Sequence, residues 1–276
     1  VYKQTKAMLI AFTKNNSLLF SDITPSFLHK YESFFRMKGT KEISISYYMR
    51  TLRAVYNKAI TEGFGAKDLY PFNEYTIGKL NTRTVKRAIT KEDIKKIIAT
   101  DINEDSRLFH SKNYFLFSYY TMGTNYNDIC TLKWENIKQN RLKYIRAKTN
   151  KPYDVGLLEP AIEILNFYKT KYSDSSGYIF PIMNSFHNTP ERIKNRIHKT
   201  LKQTNDDLKE IAKLANIDVN LTTYVARHTY ATVLKHSGVS TSIISEALGH
   251  DSEKTTQIYL DSFENKVLDE ANKNLL

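Results

Sequence analysis

The chain has 276 residues, 41% of them hydrophobic, and carries a net charge of +12. That length accommodates one large or two ordinary domains with a sizeable core. No apolar run reaches the roughly 18 residues that a membrane-spanning helix needs. Cys130 is the single cysteine, which excludes an internal disulfide and a cysteine-rich zinc site and fits a reducing cytoplasm. The residue at position 1 is Val1 and not methionine, which suggests that more chain precedes it.

The positive charge is concentrated in the first third of the chain. Residues 1–89 contain 15 Lys and Arg against 6 Asp and Glu, a net charge of +9, which leaves +3 for the remainder. A concentrated basic field is typical of a protein that binds a polyanion. The alternative is a solvated basic surface without a partner.

The hydrophobic pattern of the first third predicts helices. Thr24 is placed to cap a helix with Pro25 at its first position, and Gly39 is placed to end that helix. Aromatic and aliphatic residues recur between them at helical spacing. Ser44 is the predicted cap of the next helix, and Gly63 is its predicted end.

Two sets of cations in this region are candidates for contact with a phosphate backbone. The first set falls off the apolar stripe of the second helix and comprises Arg50, Arg53 and Lys58. The second set lies in a stretch without periodicity and comprises Arg83, Lys86 and Arg87. We interpret residues 76–89 as a basic linker between two domains, the alternative being an ordinary exposed connector.

The remaining residues mix helices and strands. Thr90 and Asp93 form a predicted capping box at the start of this second domain. The elements that the hydrophobic pattern predicts after it are, in chain order, a buried helix over residues 113–121, strands over 142–147 and 153–157 joined by a turn at 149–152, a helix that begins at Pro160, and a helix over 190–215 with a break near 205–206.

The last fifty residues bring an arginine, a histidine and a tyrosine close together in the chain. Arg227 opens one predicted helix, His250 follows the glycine that ends the next, and Tyr259 comes nine positions later. An arginine can hold two phosphate oxygens, a histidine can move a proton, and a tyrosine can attack phosphorus. The three types in that order suit cleavage of a phosphodiester without a metal, whereas each alone is compatible with an ordinary packing or surface role.

Three strings around these residues, over 226–232, 248–252 and 255–259, resemble the tyrosine recombinase (phage integrase) family. The similarity extends from about Thr90 to the C-terminus, with a weaker helical similarity over the first eighty residues. The resemblance implies a mainly α fold with a small β-sheet (α+β). It divides the chain into a helical SAM-like core-binding domain over 1–75, the basic linker over 76–89 and a mixed catalytic domain over 90–276, which together form a C-shaped clamp on duplex DNA.

The resemblance also implies roles for individual residues. Tyr259 is the nucleophile, and Arg227 and His250 contact the scissile phosphate. Lys148 in the predicted turn protonates the 5′ oxygen that leaves, with Lys151 as the alternative lysine. The residues that brace the site from behind are Asp128 and His228.

Two positions depart from the family's pattern. Asn125 stands where the first catalytic arginine is expected, and a neutral amide cannot supply the charge of a guanidinium. Tyr224 stands where the first histidine is expected, and its phenol can still donate a hydrogen bond to a phosphate. Lys133 and Arg146 are the cations that we expect to be able to approach Asn125 in three dimensions.

The sequence has no cluster of acidic residues that suggests a two-metal nuclease and no glycine-rich phosphate loop, so neither a metal nor a nucleotide cofactor is expected. The resemblance implies the integrase of a mobile element, which cleaves and rejoins DNA at attachment sites through a 3′-phosphotyrosine. It further implies a tetramer on DNA, exchange of the final helix between protomers, accessory DNA-bending proteins, and a cytoplasmic, nucleoid-associated location without membrane contact. The alternatives are a DNA-binding protein of the same fold with a degenerate site, which Asn125 supports, and a type IB topoisomerase.

Overall fold

The computed structural model describes residues 2–14, 17–82, 88–172, 176–250, 252–257 and 260. The described residues are mainly helical with a three-stranded sheet, which confirms the predicted fold class. The chain divides into two compact units between residues 85 and 86, inside the segment interpreted as a linker. Within the described ranges, no helix combines the length and the apolar character that crossing a bilayer requires.

The first unit packs three helices around an aromatic core. The helices are α1 (Tyr2–Thr13), α2 (Pro25–Met37) and α3 (Glu42–Thr61), followed by short 3-10 helices at Pro71–Asn73 and Ile77–Lys79. The Thr24 side chain accepts a hydrogen bond from the amide of Phe27, so the predicted cap of α2 is confirmed. The predicted cap at Ser44 is wrong, because its amide already donates to Lys41, which is the N-cap of α3.

A buried carboxylate holds the segment after α3 against α2. Glu32 is buried, and its side chain accepts a hydrogen bond of 2.5 Å from the hydroxyl of Tyr75. Ile77 and Leu80 are buried in the same core. The first residues of the segment interpreted as a linker therefore pack within the first unit.

The second unit contains eight described helices. They are α4 (Lys91–Ala99), α5 (Arg107–Tyr120), α6 (Tyr126–Ile129), α7 (Glu159–Lys171), α8 (Pro190–Leu214), α9 (Thr223–His236), α10 (Thr241–Leu248) and α11 (Glu253–Gln257). The Thr90–Asp93 capping box at the start of α4 is confirmed. The predicted break in α8 is wrong: Asn205 accepts a hydrogen bond from the amide of Thr223, so its side chain does not compete for the backbone of its own helix.

The sheet forms an antiparallel hairpin with one added edge strand. Its strands are β1 (Ile137–Lys138), β2 (Arg141–Ile145) and β3 (Pro152–Gly156), in that spatial order. The two-residue strand β1 was not predicted. The strand predicted over 142–147 ends at Ile145, because the amide of Arg146 donates to the carbonyl of Lys151 at 2.9 Å and closes the hairpin turn.

Helix α5 is the centre of this unit and packs against α7, α8 and α9. The segment before α4 is attached to α9, since the amide of Ile89 donates to the hydroxyl of Thr229 at 3.1 Å. Arg227 was predicted to open its helix, but α9 begins at Thr223, so Arg227 lies one turn inside it. That position turns its side chain into the interior of the unit.

Candidate active site

A cavity of about 740 Å³ lies in the second unit between the start of α6, the β2–β3 turn and the start of α9. Its lining includes six residues that the sequence singled out, namely Asn125, Asp128, Arg146, Lys148, Tyr224 and Arg227. These residues come from three separate segments of the chain. The fold therefore brings together side chains that lie far apart in the sequence.

Arg227 is only 2% exposed, which is unusual for an arginine. Its Nη1 donates to the carbonyl of Gly123 at 2.9 Å, and its Nη2 donates to the carbonyl of Leu248. A Cβ atom on Gly123 would lie 2.8 Å from Cγ of Arg227, and Gly123 has a φ of +68°, so only glycine fits there. The guanidinium is thus a buried, oriented cation and not a surface charge.

His250 adjoins Arg227. The helix α10 ends at Gly249, whose φ is +63°, as the sequence predicted. The ring Nε2 of His250 lies 3.2 Å from Nη2 of Arg227, and Nδ1 lies 2.8 Å from Oγ1 of Thr256. Because arginine only donates, Nε2 is the acceptor, and the hydrogen is assigned to Nδ1, which donates to Thr256.

Lys148 is exposed in the hairpin turn and lines the cavity. The turn is held by Asp128, whose Oδ1 accepts from the amide of Ala147 at 3.1 Å. Burial raises the pKa of Asp128 above its usual value, against the lowering effect of this hydrogen bond and of the nearby arginines. Lys151 lines a second cavity of about 600 Å³, which also includes His250.

The cation beside Asn125 is Arg146. In the amide orientation that satisfies both partners, Oδ1 of Asn125 accepts from Nη2 of Arg146 at 2.7 Å and from Nε at 3.3 Å. Arg146 also lines the cavity and is 6% exposed. Lys133, the other expected candidate, lies with its ammonium 5.5 Å from the ring centre of Tyr178 and does not line the cavity.

Tyr224 lies in the first turn of α9 and lines the cavity, with 44% of its surface exposed. Its ring meets the ring of the buried His228 edge-on, at 4.7 Å between centroids. This places Tyr224 at the solvent side of the site and His228 behind it.

The sequence analysis named Arg146 only as a cation able to approach Asn125 and gave Thr256 no role, but each residue left a further signal in the sequence. Leu142 and Tyr144 are the buried positions of β2, and Arg146 continues their alternation one residue beyond the end of the strand. A cation on the buried side of a strand's alternation needs a partner or a ligand, so this pattern indicates a functional arginine. Thr256 is fully buried beside His250 and lies in one of the strings that resemble the family.

Several predicted residues lie outside the described residues or in the first unit. The former are Tyr259, Arg83, Lys86, Arg87 and the final helix over 261–276. Arg50, Arg53 and Lys58 are exposed on α3 of the first unit. In the described ranges no group of three or more His, Cys, Asp or Glu side chains is arranged to hold a metal ion.

Residues 87–266 match the phage integrase family, and residues 1–77 match the phage integrase SAM-like domain. Tyrosine recombinase XerD of Rhizobium meliloti is 25% identical over 270 residues, which cover 94% of this chain and 83% of that protein. Tyrosine recombinase XerA of Pyrococcus furiosus is 28% identical over 179 residues, 64% of this chain and 58% of that protein.

Solved structures share the fold. The lambda integrase dimer bound to a COC′ core site has a TM-score of 0.67 at 16% identity, covering 95% of this chain and 90% of that one. A variant of the Tn1549 transposon integrase in complex with transposon right end DNA has a TM-score of 0.71 at 13% identity, covering 99% and 93%. The resemblance of the C-terminal strings is thereby confirmed, and the chain belongs to the phage integrase family of tyrosine recombinases.

Proposed function

We propose that this chain is a site-specific recombinase that cleaves and rejoins DNA strands for a mobile element. The observation that carries the proposal is the buried Arg227, which adjoins His250 and lines the same cavity as Lys148. A permanent cation in a water-poor site stabilises the negative charge that develops on phosphorus during strand cleavage. The charge lost at Asn125 does not favour a degenerate site, because Arg146 lies beside that residue.

The reaction that these residues support is a transfer of one phosphodiester bond to the protein. The hydroxyl of Tyr259 gives its proton to Nε2 of His250 as its oxygen attacks phosphorus, and the bond from phosphorus to the 5′ oxygen breaks. Lys148 gives a proton to the departing 5′ oxygen, while Arg227 and His250 hold the non-bridging oxygens. A 5′ hydroxyl from a partner strand then attacks the 3′-phosphotyrosine, which restores the DNA and frees Tyr259 without an external energy source.

The proposed substrate is duplex DNA, bound by an oligomer of this chain. Among the structural neighbours are a lambda integrase dimer on a core site and a lambda integrase tetramer on a Holliday junction. We assign the exposed cations of α3 and the basic residues at 83–87 to the phosphate backbone. Residues 261–276 are assigned to docking on a neighbouring protomer, and accessory DNA-bending proteins complete the assembly.

The proposal is tested by trapping the covalent complex. The chain is mixed with a nicked duplex that spans an end of the mobile element, and the product is run on a denaturing gel. We expect a protein–DNA adduct with the wild type and none with Tyr259→Phe, which should still bind the duplex. Tyr230→Phe is the control and should form the adduct, because Tyr230 packs beside a core cluster and burial raises its pKa to about 12.

An adduct that persists in Tyr259→Phe would place the nucleophile at another residue. Absence of any adduct with the wild type, on the element's own attachment site and with its partner factors supplied, would favour a DNA-binding protein with a degenerate site.

A further inference from the structure

Arg146 is a buried cation that the family pattern does not require. Arg146 directly follows β2 and continues the alternation of its buried residues Leu142 and Tyr144. Only 6% of its surface is exposed. Burying a guanidinium is unfavourable unless hydrogen bonds or an anion compensate the lost hydration. The position therefore needs an explanation beyond packing.

The described hydrogen-bond partners of Arg146 are neutral, and Asp128 is the nearby carboxyl group. Nη2 and Nε donate to the side-chain oxygen of Asn125, and Nη1 donates to the carbonyls of Leu248 at 3.3 Å and Gly249 at 3.5 Å. The ring of Tyr153 lies 6.0 Å from the guanidinium carbon. These contacts orient the guanidinium without neutralising it, and they leave one N–H of Nη2 without a partner among the described residues.

A second buried guanidinium converges on the same place. Arg227 also donates to the carbonyl of Leu248, and both arginines line the 740 Å³ cavity. Asp128 is the carboxylate that lines this cavity, and its Oδ1 accepts from the amide of Ala147. Two oriented cations against one buried carboxyl group form a site that favours an anion.

We propose that Arg146 binds the scissile phosphate in place of the arginine that Asn125 replaces. Asn125 acts as a positioning residue, because its side-chain oxygen accepts from two nitrogens of Arg146 and holds the plane of the guanidinium. Two residues from different elements thus perform the task of one long side chain. This inference rests on the proposed function, since it assigns a role within the same cleavage reaction.

The test compares Arg146→Gln with the wild type on two nicked substrates. The first carries an ordinary scissile phosphate, and in the second a methyl group replaces one non-bridging oxygen, which removes the negative charge. We expect Arg146→Gln to slow adduct formation about a hundredfold on the phosphate, as for loss of one transition-state donor. On the neutral substrate the defect should fall below about tenfold, because the phosphorane then carries one negative charge instead of two and requires less stabilisation.

Arg141→Gln is the matched control, since Arg141 begins β2, the strand that Arg146 follows, but is exposed and paired with Asp154. It should cleave both substrates at the wild-type rate. Thermal unfolding of every variant separates a loss of fold from a loss of function. If Arg146→Gln does not fold, Arg146→Lys replaces it, and its defect should likewise be smaller on the neutral substrate.

A double variant moves the cation to the other residue. Asn125→Arg combined with Arg146→Asn should recover at least tenfold of the activity lost in Arg146→Asn alone. Cleavage at the wild-type rate by Arg146→Gln, or an equal defect on both substrates, would overturn the role of Arg146 and leave the proposed function standing. A wild type that forms no adduct on either substrate would overturn both.

Discussion

Nη2 of Arg227 and Nε2 of His250 are 3.2 Å apart, so the two side chains that are expected to hold the phosphate already contact each other. The histidine nitrogen accepts from the arginine, and the opposite ring nitrogen donates to Thr256. An incoming phosphate oxygen can accept the hydrogen bond that Arg227 donates to His250. Nε2 of His250 is then available to accept a proton. The hydroxyl of Thr256 keeps the ring oriented during that exchange.

Thr256→Val should therefore slow strand cleavage, although valine matches threonine in shape. The variant removes the acceptor of the partly buried Nδ1–H, and a buried donor left without an acceptor costs about 1–3 kcal/mol. We expect a decrease of about tenfold in the rate of adduct formation. Thr256→Ser keeps the hydroxyl and should retain most of the activity. Equal rates in the valine and serine variants would show that Thr256 only fills space.

Arg227→Lys should impair cleavage strongly although the charge is retained. Lysine presents a single ammonium and cannot bond the carbonyls of Gly123 and Leu248 while it also spans two phosphate oxygens. The expected loss is about 3 kcal/mol, or roughly a hundredfold in rate. Arg192→Lys on the exposed face of α8 is the control and should be neutral. Wild-type cleavage by Arg227→Lys would assign Arg227 a structural role only.

Lys148→Ala should be rescued by a substrate with sulfur in place of the 5′ leaving oxygen. A thiolate leaves without protonation, so the general acid becomes dispensable. The rate of adduct formation is measured on the oxygen and sulfur substrates in parallel. Lys151→Ala provides the comparison, because Lys151 lines the neighbouring cavity beside His250. Rescue of Lys151→Ala and not of Lys148→Ala would identify Lys151 as the acid.

DNA affinity should fall steeply with salt, and the first unit with its basic linker should account for most of that dependence. Residues 1–87 contain 15 Lys and Arg against 6 Asp and Glu. Each phosphate contact adds about 0.9 to the slope of log affinity against log salt. A fragment that begins at Ala88 keeps Ile89 in the core of the second unit and should bind more weakly with a shallower slope. Equal slopes would show that the basic residues of the first third face solvent.

Asp128 should make the protein more stable to mild acid than Asp128→Asn. Burial raises the pKa of Asp128, so the folded state binds its proton more tightly than the unfolded state does. Its contribution to the free energy of unfolding is therefore fully present below the unfolded pKa and is lost as the pH rises through the folded pKa. The free energy of unfolding is measured for wild type and variant between about pH 4 and pH 7. The value for the wild type minus that for the variant should increase as the pH falls. The opposite slope would mean that Arg146 and Arg227 outweigh the burial.

The local features of this fold were predictable because each depends on a few consecutive residues. The caps at Thr24 and Thr90 and the stop at Gly249 are set by side-chain oxygens and a left-handed φ within one turn of the helix end. Ser44 and Asn205 were misinterpreted for the opposite reason. The hydrogen-bond partners of these two residues are supplied by an adjoining turn or by another helix. A prediction from helix caps and breaks along the sequence does not take such partners into account.

The sequence by itself determined the family, because Arg227, His250 and Tyr259 lie within a short stretch of characteristic spacing. It also located the departure at Asn125. Only the tertiary structure decided that Arg146 lies beside Asn125, since these residues are 21 positions apart, one in a hairpin turn and the other at a helix start. Their contact depends on how the hairpin packs against α6 and α10, and packing of distant segments is governed by the whole core and not by neighbouring residues.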